Sequence, residues 1–224
     1  MSDTTVLIHG FATSALRTWH ETGWVDLLED AGRTVLAIDL PGHGAAEKSH
    51  DPQDYDDLAE RVLAQFPDGA VDLVGFSQGA RTSLEIAIDH PDRIDRLVVA
   101  GVGKNLFEES TMAEDLASIL DGSKPATTPI TRHFVQLANA GDQDPLALAA
   151  FLRRAPWGAM DAAALAKVTA PTLVVLGTED FAGPADPLVA ALSGATLCEL
   201  RGVDHFATPK SFDFISAALE FLGA

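Results

Sequence analysis

The chain has 224 residues, of which 47% are hydrophobic, and its formal net charge is −18. This apolar fraction suits one large folded α/β domain, while the strong negative charge argues against nucleic acid and anionic membranes as partners. No apolar run approaches the ~20 residues that span a bilayer, and the N-terminal residues lack a signal-peptide pattern. The single cysteine, Cys198, fits a reducing compartment. The expected location is therefore the cytoplasm.

Short runs rich in Val, Leu and Ile alternate along the chain with longer amphipathic stretches. The apolar runs predict six strands, at Thr5–His9, Thr34–Ile38, Val71–Gly75, Leu97–Gly101, Thr172–Gly177 and Ala195–Leu200. Helical spacing predicts helices at Gly23–Ala31, Pro52–Phe66, Gln78–His90, Ala185–Leu192 and Ser211–Leu222. Nearly continuous apolar runs are typical of strands covered on both faces. The alternation therefore predicts an α/β fold with a mostly parallel sheet of about six strands and helices on both faces.

The segment between Gly101 and Thr172 interrupts this alternation and contains no convincing strand. Its patterns are helical and separated by prolines, at Thr111–Leu120, Thr131–Ala140 and Leu146–Ala155. An insertion of this kind between two strands is often a lid over a binding site. We therefore expect a core of residues 1–103 and 169–224, and a small helical lid of residues 104–168 above the carboxyl ends of the strands.

Polar side chains suited to catalysis follow three of the predicted strands. Ser77 comes after the third strand, Asp180 lies just past the fifth, and His205 follows the sixth. Ligands of parallel sheets bind outside the carboxyl ends of the strands. A hydroxyl, a carboxylate and an imidazole are therefore expected at one rim, although they are far apart along the chain.

The residues around Ser77 read Gly75-Phe76-Ser77-Gln78-Gly79, which matches the G-x-S-x-G nucleophile elbow. A sharp turn from strand to helix would present the hydroxyl to a cleft. Serine needs a base to take its proton, and an imidazole needs a carboxylate to fix its tautomer. The chain order serine, acid, histidine is that of the elbow fold. Of the seven histidines, only His205 follows the last strand and precedes the last helix.

Several short motifs together carry a resemblance to a known family: His9-Gly10-Phe11, DLPGHG at 39–44, GFSQGA at 75–80, His90-Pro91, GTED ending at Asp180, and DHF at 204–206. With these motifs the chain resembles the α/β-hydrolase superfamily, in its serine-nucleophile, esterase-like branch, over essentially its whole length. The resemblance implies Ser77 as nucleophile, His205 as base and Asp180 as orienting acid. It also implies an oxyanion hole formed by the backbone N–H groups of Phe11 and Gln78. Family members usually carry two more strands before the first motif, so a trimmed sheet is expected.

Aromatic residues on rim loops or in the lid are the candidates for substrate contacts: Phe11, Trp157 and Phe181. Arg81, one helical turn after Ser77, either pairs with Glu85 on the helix or binds an anionic substrate. The second role follows from a resemblance at GFSQGAR to a synthase of menaquinone biosynthesis in the same superfamily. No HExxH, paired CxxC or phosphate loop occurs, so neither a metal nor another cofactor is expected.

These features favour a cofactor-free serine hydrolase that cleaves a small carboxylic ester, thioester or lactone through an acyl-enzyme. Two alternatives remain open. A lyase or synthase of the menaquinone-pathway type would use the same three residues to move a proton without an acyl-enzyme. A non-catalytic small-molecule receptor would bind its ligand tightly without turnover.

Overall fold

The computed structural model describes residues 3–108, 110–155 and 160–224. Within these residues six strands form one sheet: β1 (Thr4–Ile8), β2 (Thr34–Ile38), β3 (Val71–Phe76), β4 (Ile94–Ala100), β5 (Thr172–Gly177) and β6 (Thr196–Leu200). Their order across the sheet is β2-β1-β3-β4-β5-β6, and every neighbouring pair is parallel. The predicted fold class is therefore confirmed.

Helices occupy most of the chain between the strands. In the described residues they are α1 (Trp24–Asp30), α2 (Leu58–Leu63), α3 (Gln78–Asp89), α4 (Met112–Leu120), α5 (Pro129–Ala138), α6 (Pro145–Arg153), α7 (Ala162–Leu165), α8 (Asp186–Ala191) and α9 (Phe212–Leu222). None of these described helices is long and apolar enough to span a membrane.

One predicted helix differs from the structure, and one helical turn was not predicted. The single helix predicted over Pro52–Phe66 is wrong: a 3-10 turn at Pro52–Tyr55 is separated from α2 by Asp57, whose φ is 54°. A left-handed residue cannot continue a right-handed helix, and the 3.6-residue spacing alone did not reveal it. A π-helical turn at Leu16–His20 was not predicted.

Both faces of the sheet are covered, which explains why its strands read as continuous apolar runs. Side chains alternate between the faces: Val6 and Ile8 belong to an apolar cluster with α2, α3, α7 and α8, whereas Leu7 belongs to a second cluster with α1 and α9. The edge strands β2 and β6 are more exposed than the four between them.

The helices between β4 and β5 form a third apolar cluster. Leu116 from α4, Phe134 from α5 and Leu148 from α6 pack together, and Ala12 from the loop after β1 is part of the same cluster. The segment is helical, as expected for a lid. The boundaries at residues 104 and 168 stay a prediction.

The order of the strands reverses direction between β1 and β3, because β2 lies on one side of β1 and β4–β6 lie beyond β3. Such a reversal opens a crevice at the carboxyl ends of the two strands. Phe11 follows β1 and Ser77 follows β3, so both residues border this crevice.

The turn from β3 into α3 is tight because α3 starts against the end of β1. A Cβ atom on Gly79 would lie 2.1 Å from the carbonyl oxygen of Ile8. Ser77 itself has φ 54° and ψ −110°, a strained conformation for a residue with a side chain. The close contact between α3 and β1 therefore holds Ser77 in a backbone conformation that would be unfavourable without it.

A buried ion cluster joins the amino end of β3 to the end of α9. The carboxylate of Asp72, whose side chain is 1% exposed, pairs with Arg33 and lies 3.8 Å from Nη1 of Arg96. Both arginines also donate hydrogen bonds to the carbonyl oxygen of Leu222. Burial raises the pKa of Asp72, and the two arginines oppose that shift.

We expect Asp72→Ala to lower the free energy of unfolding by about 3–5 kcal/mol, because it leaves a buried guanidinium without its carboxylate. Urea unfolding at neutral pH measures the change. Asp92→Ala is the control, since Asp92 is exposed and such surface changes stay within about 0.5 kcal/mol. Equal midpoints for the two variants would contradict the role given to this cluster.

We expect Gly79→Ala to lower the free energy of unfolding by about 1–3 kcal/mol, because the added methyl group forces α3 away from β1. Gly141→Ala is the matched control, since a Cβ there meets no atom within 4 Å and the backbone is not left-handed. Both variants are compared by urea unfolding. A Gly79→Ala protein as stable as Gly141→Ala would show that the two elements do not pack closely.

Candidate active site

Ser77, His205 and Asp180 form one hydrogen-bonded chain at the carboxyl edge of the sheet. His205 Nε2 lies 2.9 Å from Ser77 Oγ, and His205 Nδ1 lies 2.9 Å from Asp180 Oδ2 and 3.0 Å from Oδ1. His205 and Asp180 are buried, and Ser77 is half-buried. The three side chains come from the loops after β3, β5 and β6, where the sequence predicted them.

The contact with Asp180 determines what the other ring nitrogen can do. A carboxylate only accepts, so Nδ1 of His205 must carry the hydrogen, and Nε2 of the neutral ring is left as an acceptor. That acceptor faces the hydroxyl of Ser77. The backbone N–H of Ala182 donates to Asp180 Oδ1 at 2.8 Å and helps to hold the carboxylate in place. The arrangement can therefore remove a proton from Ser77 Oγ.

The imidazole of His205 packs against two aromatic rings. Its centroid is 5.0 Å from that of Phe76 and 4.3 Å from that of Phe181. These contacts restrict rotation of the imidazole. Phe181 also lines a neighbouring cavity of about 480 Å³ with Asn105 and Met112. The role of Phe181 as a substrate contact stays a prediction. In the structure its ring also packs against the imidazole of His205.

The two predicted oxyanion donors lie beside Ser77. Gln78 is the first residue of α3, so its N–H has no partner within the helix. The N–H of Phe11 also has no hydrogen-bond partner among the described residues. The loop after β1 comes close to the serine, since a Cβ on Gly10 would lie 3.3 Å from Ser77 Cβ. The positive end of the α3 dipole is directed toward the same place, which favours a negative charge there.

A second buried histidine supports this loop rather than taking part in the hydrogen-bonded chain. His9 Nε2 accepts a hydrogen bond from the Leu40 N–H at 3.0 Å, so Nδ1 carries the hydrogen and donates to the carbonyl of Gly10 at 2.7 Å. Burial lowers the pKa of His9 and keeps the ring neutral. Asp39 accepts from the Ala15 N–H at 2.7 Å. These contacts give His9 and Asp39 a structural role in holding the loop after β1.

A cleft of about 860 Å³ opens beside Ser77 and His205. Most of its wall is apolar, with aromatic side chains from the core and the lid: Phe11, Phe76, Phe134 and Phe206. Arg17, Glu21 and Lys210 lie along another part of it. Phe11 is thus both a predicted oxyanion donor and a cleft residue. Phe76 is not distinguished in the sequence, because an apolar residue at this position of the elbow is equally consistent with the end of a buried strand.

Arg81 does not line this cleft. Its Nε lies 3.1 Å from Glu85 Oε1, and its side chain is 12% exposed. Arg154 lies near this pair with its guanidinium 3.9 Å above the Phe151 ring, and burial lowers its pKa to about 9. The sequence did not single out Arg154. Arg81 as a substrate contact stays a prediction, and Trp157 lies outside the described residues.

Sequence comparison places the chain near curated hydrolases. It is 25% identical over 267 residues to the 2-hydroxy-6-oxononadienedioate/2-hydroxy-6-oxononatrienedioate hydrolase of Escherichia coli O139:H28 (strain E24377A / ETEC), an alignment that covers 98% of this chain and 87% of the relative. The hydrolase of the same name from Burkholderia vietnamiensis (strain G4 / LMG 22486) is 34% identical over 108 residues, which cover 44% of this chain and 35% of that protein.

Structural comparison gives the same fold. MenH from S. aureus aligns with a TM-score of 0.77 at 23% identity, covering 100% of this chain and 94% of that one. The enol-lactonase from Burkholderia xenovorans LB400 aligns with a TM-score of 0.75 at 20% identity, covering 100% and 92%. The family model described as "alpha/beta hydrolase fold" matches residues 4–157, well over half of the sequence. The chain therefore belongs to the alpha/beta hydrolase fold family.

Proposed function

We propose that this protein is a serine hydrolase that cleaves a small carboxylic ester, thioester or lactone through an acyl-enzyme intermediate. The observation that carries the proposal is the chain of hydrogen bonds from Asp180 through His205 to Ser77 Oγ. This chain opens onto a largely apolar cleft. The backbone N–H groups of Gln78, the first residue of α3, and of Phe11, which lines the same cleft as Ser77, would bind the oxyanion.

In the first step Ser77 Oγ attacks the carbonyl carbon while His205 Nε2 takes the hydroxyl proton. Asp180 stabilises the resulting imidazolium through Nδ1. The carbonyl π electrons move to the oxygen, which the N–H groups of Gln78 and Phe11 bind. A donor of this kind is typically worth ~10²–10³ in rate, because it binds charge that is absent in the substrate.

In the second step the tetrahedral intermediate collapses and His205 gives its proton to the leaving alcohol or thiol. The acyl group is then bound to Ser77 Oγ. A water molecule loses a proton to His205 and attacks the ester carbon, and a second collapse returns the proton to Ser77 and releases the carboxylic acid. Every step uses side chains described above, the backbone and water.

A second candidate reaction is hydrolysis of a carbon–carbon bond next to a ketone. The E. coli relative, similar over 98% of this chain, has a name that specifies a 6-oxo group and no ester. Water can cleave such a compound only at a bond from the carbonyl carbon to another carbon. Ser77, His205 and the oxyanion donors would serve this reaction without rearrangement. The lyase or synthase alternative has less support, since the likeness to MenH at 23% identity is one of fold.

We expect Ser77→Ala to lose up to ~10⁶ in turnover of p-nitrophenyl acetate or butyrate, because the nucleophile is removed. A fluorophosphonate probe should add its mass to the parent protein and not to this variant. Ser193→Ala is the control, since Ser193 is exposed and lies far along the chain from Ser77. Unchanged hydrolysis by Ser77→Ala would remove the proposal.

We expect Asp180→Asn to lower kcat by ~10⁴ with the fold intact, because the amide favours the wrong tautomer of His205. Glu179→Gln is the matched control: it changes the neighbouring carboxylate, which is exposed. Circular dichroism checks the fold and steady-state kinetics give kcat. Equal loss in both variants would show that Asp180 has no special role.

The two candidate reactions are separated by their substrates and by mass spectrometry. An ester hydrolase forms a Ser77-bound acyl group from ester substrates, which is visible as added mass after rapid acid quenching. An enzyme of the second kind cleaves a conjugated 6-oxo dienoate and leaves simple esters almost untouched. We expect the ester to react.

A further inference from the structure

The loop after β1, which carries the Phe11 N–H, includes a residue in an unfavourable backbone conformation. Ala12 has φ 57°, the left-handed region that an alanine seldom occupies. A residue in such a conformation persists only where its surroundings determine it. The loop therefore depends on contacts from elsewhere in the molecule.

The lid supplies the apolar part of this support. Ala12 is 1% exposed and belongs to the cluster formed by α4, α5 and α6. The Phe11 ring packs on Phe134 at 5.9 Å and on Phe151 at 6.0 Å between centroids. Two consecutive residues of this loop, Phe11 and Ala12, thus pack against the lid.

The turn between α5 and α6 supplies the polar part. Ser14 Oγ donates to Asp142 Oδ2 at 2.9 Å, and Gln143 Nε2 donates to the Thr13 carbonyl at 3.0 Å. Arg17 also pairs with Asp142, at 3.0 Å between Nη2 and Oδ1. Burial raises the pKa of Asp142, but the hydrogen bonds from Ser14 and Arg17 outweigh it and the net pKa is lowered. The carboxylate is therefore a charged acceptor at neutral pH.

We propose that Asp142 and Gln143 are positioning residues for the oxyanion hole: they hold residues 13–17, and thereby the Phe11 N–H, in place beside Ser77. This inference rests on the function proposed above. The oxyanion exists only in the transition state and the tetrahedral intermediates, so loss of this support lowers kcat and leaves KM nearly unchanged.

The same turn offers a matched control. His50 Nε2 lies 2.9 Å from Asp144 Oδ2, so this pair also ties the lid to the core, but at the loop after β2. His50→Ala removes a lid–core contact of similar kind without touching residues 11–17. His50 is changed rather than Asp144, because Asp144 also caps α6 through the N–H groups of Leu146 and Ala147.

The kinetic test compares Ser14→Ala, Gln143→Ala and the double variant with His50→Ala on one p-nitrophenyl ester. We expect kcat to fall about tenfold in each single variant and about a hundredfold in the double variant. Neither fall should exceed the loss of rate that follows removal of a whole oxyanion donor, typically ~10²–10³. KM should stay within about twofold. His50→Ala should keep the parent kcat. An equal fall of kcat in His50→Ala would overturn the proposal, since general loosening of the lid would then explain it.

The affinity for a transition-state analogue distinguishes positioning of the oxyanion donor from a purely structural role. Ser77 Oγ adds to the carbon of a trifluoromethyl ketone, its proton passes to His205, and the ketone oxygen becomes the oxyanion. Affinity for this ketone should fall by the same factor as kcat in Ser14→Ala and Gln143→Ala. Affinity for the matching analogue without a carbonyl should not change. Equal losses for both ligands would contradict positioning of the oxyanion donor.

Hydrogen exchange tests the support without any catalysis. The amides of Ala15 and Thr18 are hydrogen-bonded, to Asp39 and to the Ser14 carbonyl. They should exchange faster in Ser14→Ala and Gln143→Ala than in the parent, and at the parent rate in His50→Ala. Unchanged exchange in the first two variants would refute the inference. Absence of ester hydrolysis in the parent protein would refute the proposed function instead, and exchange would still decide whether the lid holds the loop.

Discussion

The first turn of α3 rests on the carboxyl end of β1, and the backbone of Ile8 leaves space for a hydrogen atom but not a carbon atom on Gly79. This contact brings together the two loops at which the strand order reverses. It sets Ser77 against Gly10 and directs the N-terminus of α3 toward the loop of Phe11. His205 and Asp180 approach the same point from β6 and β5. The close approach of α3 to β1 thus sets the position of the serine, and the loops after β5 and β6 bring the other two side chains to it.

The charge of the protein opposes the reaction that we propose, and the local geometry compensates for it. A net charge of −18 disfavours a new negative charge anywhere on the molecule. At physiological ionic strength, however, exposed charges are screened beyond about 8 Å. In the proposed mechanism the N–H groups of Gln78 and Phe11 would bind the forming oxyanion directly, in a largely apolar cleft, where such interactions are stronger than in water. Nearby donors therefore dominate over the distant acidic surface.

The sequence predicts the location of those site residues that directly follow a parallel strand. Ser77, Asp180 and His205 each follow a strand that had been recognised from its apolar run, and parallel strands bring their carboxyl ends to one edge whatever the exact register. Contacts that depend on the path of a loop were missed. No spacing rule connects Ser14 with Asp142, which are 128 residues apart, and the break at Asp57 is a backbone conformation that amphipathic spacing does not encode.

The same distinction explains why the sequence predicts a cover over the site but not a support for the loop after β1. The sequence of residues 104–168 predicts helices separated by prolines. Nothing in that pattern predicts a contact with the loop after β1. In the structure the apolar cluster of the lid is completed by Ala12, a residue of the core that adopts a left-handed conformation. A ligand that fits the cleft leaves this packing intact and finds the Phe11 N–H in place. A ligand that is too large would press on α5, whose His133, Phe134 and Leu137 line the cleft, and would thereby also disturb the loop that packs on Phe134. Under the proposed mechanism, selection by size and stabilisation of the oxyanion would therefore be linked through the same packed residues, so that a poorly fitting substrate would lose rate as well as affinity.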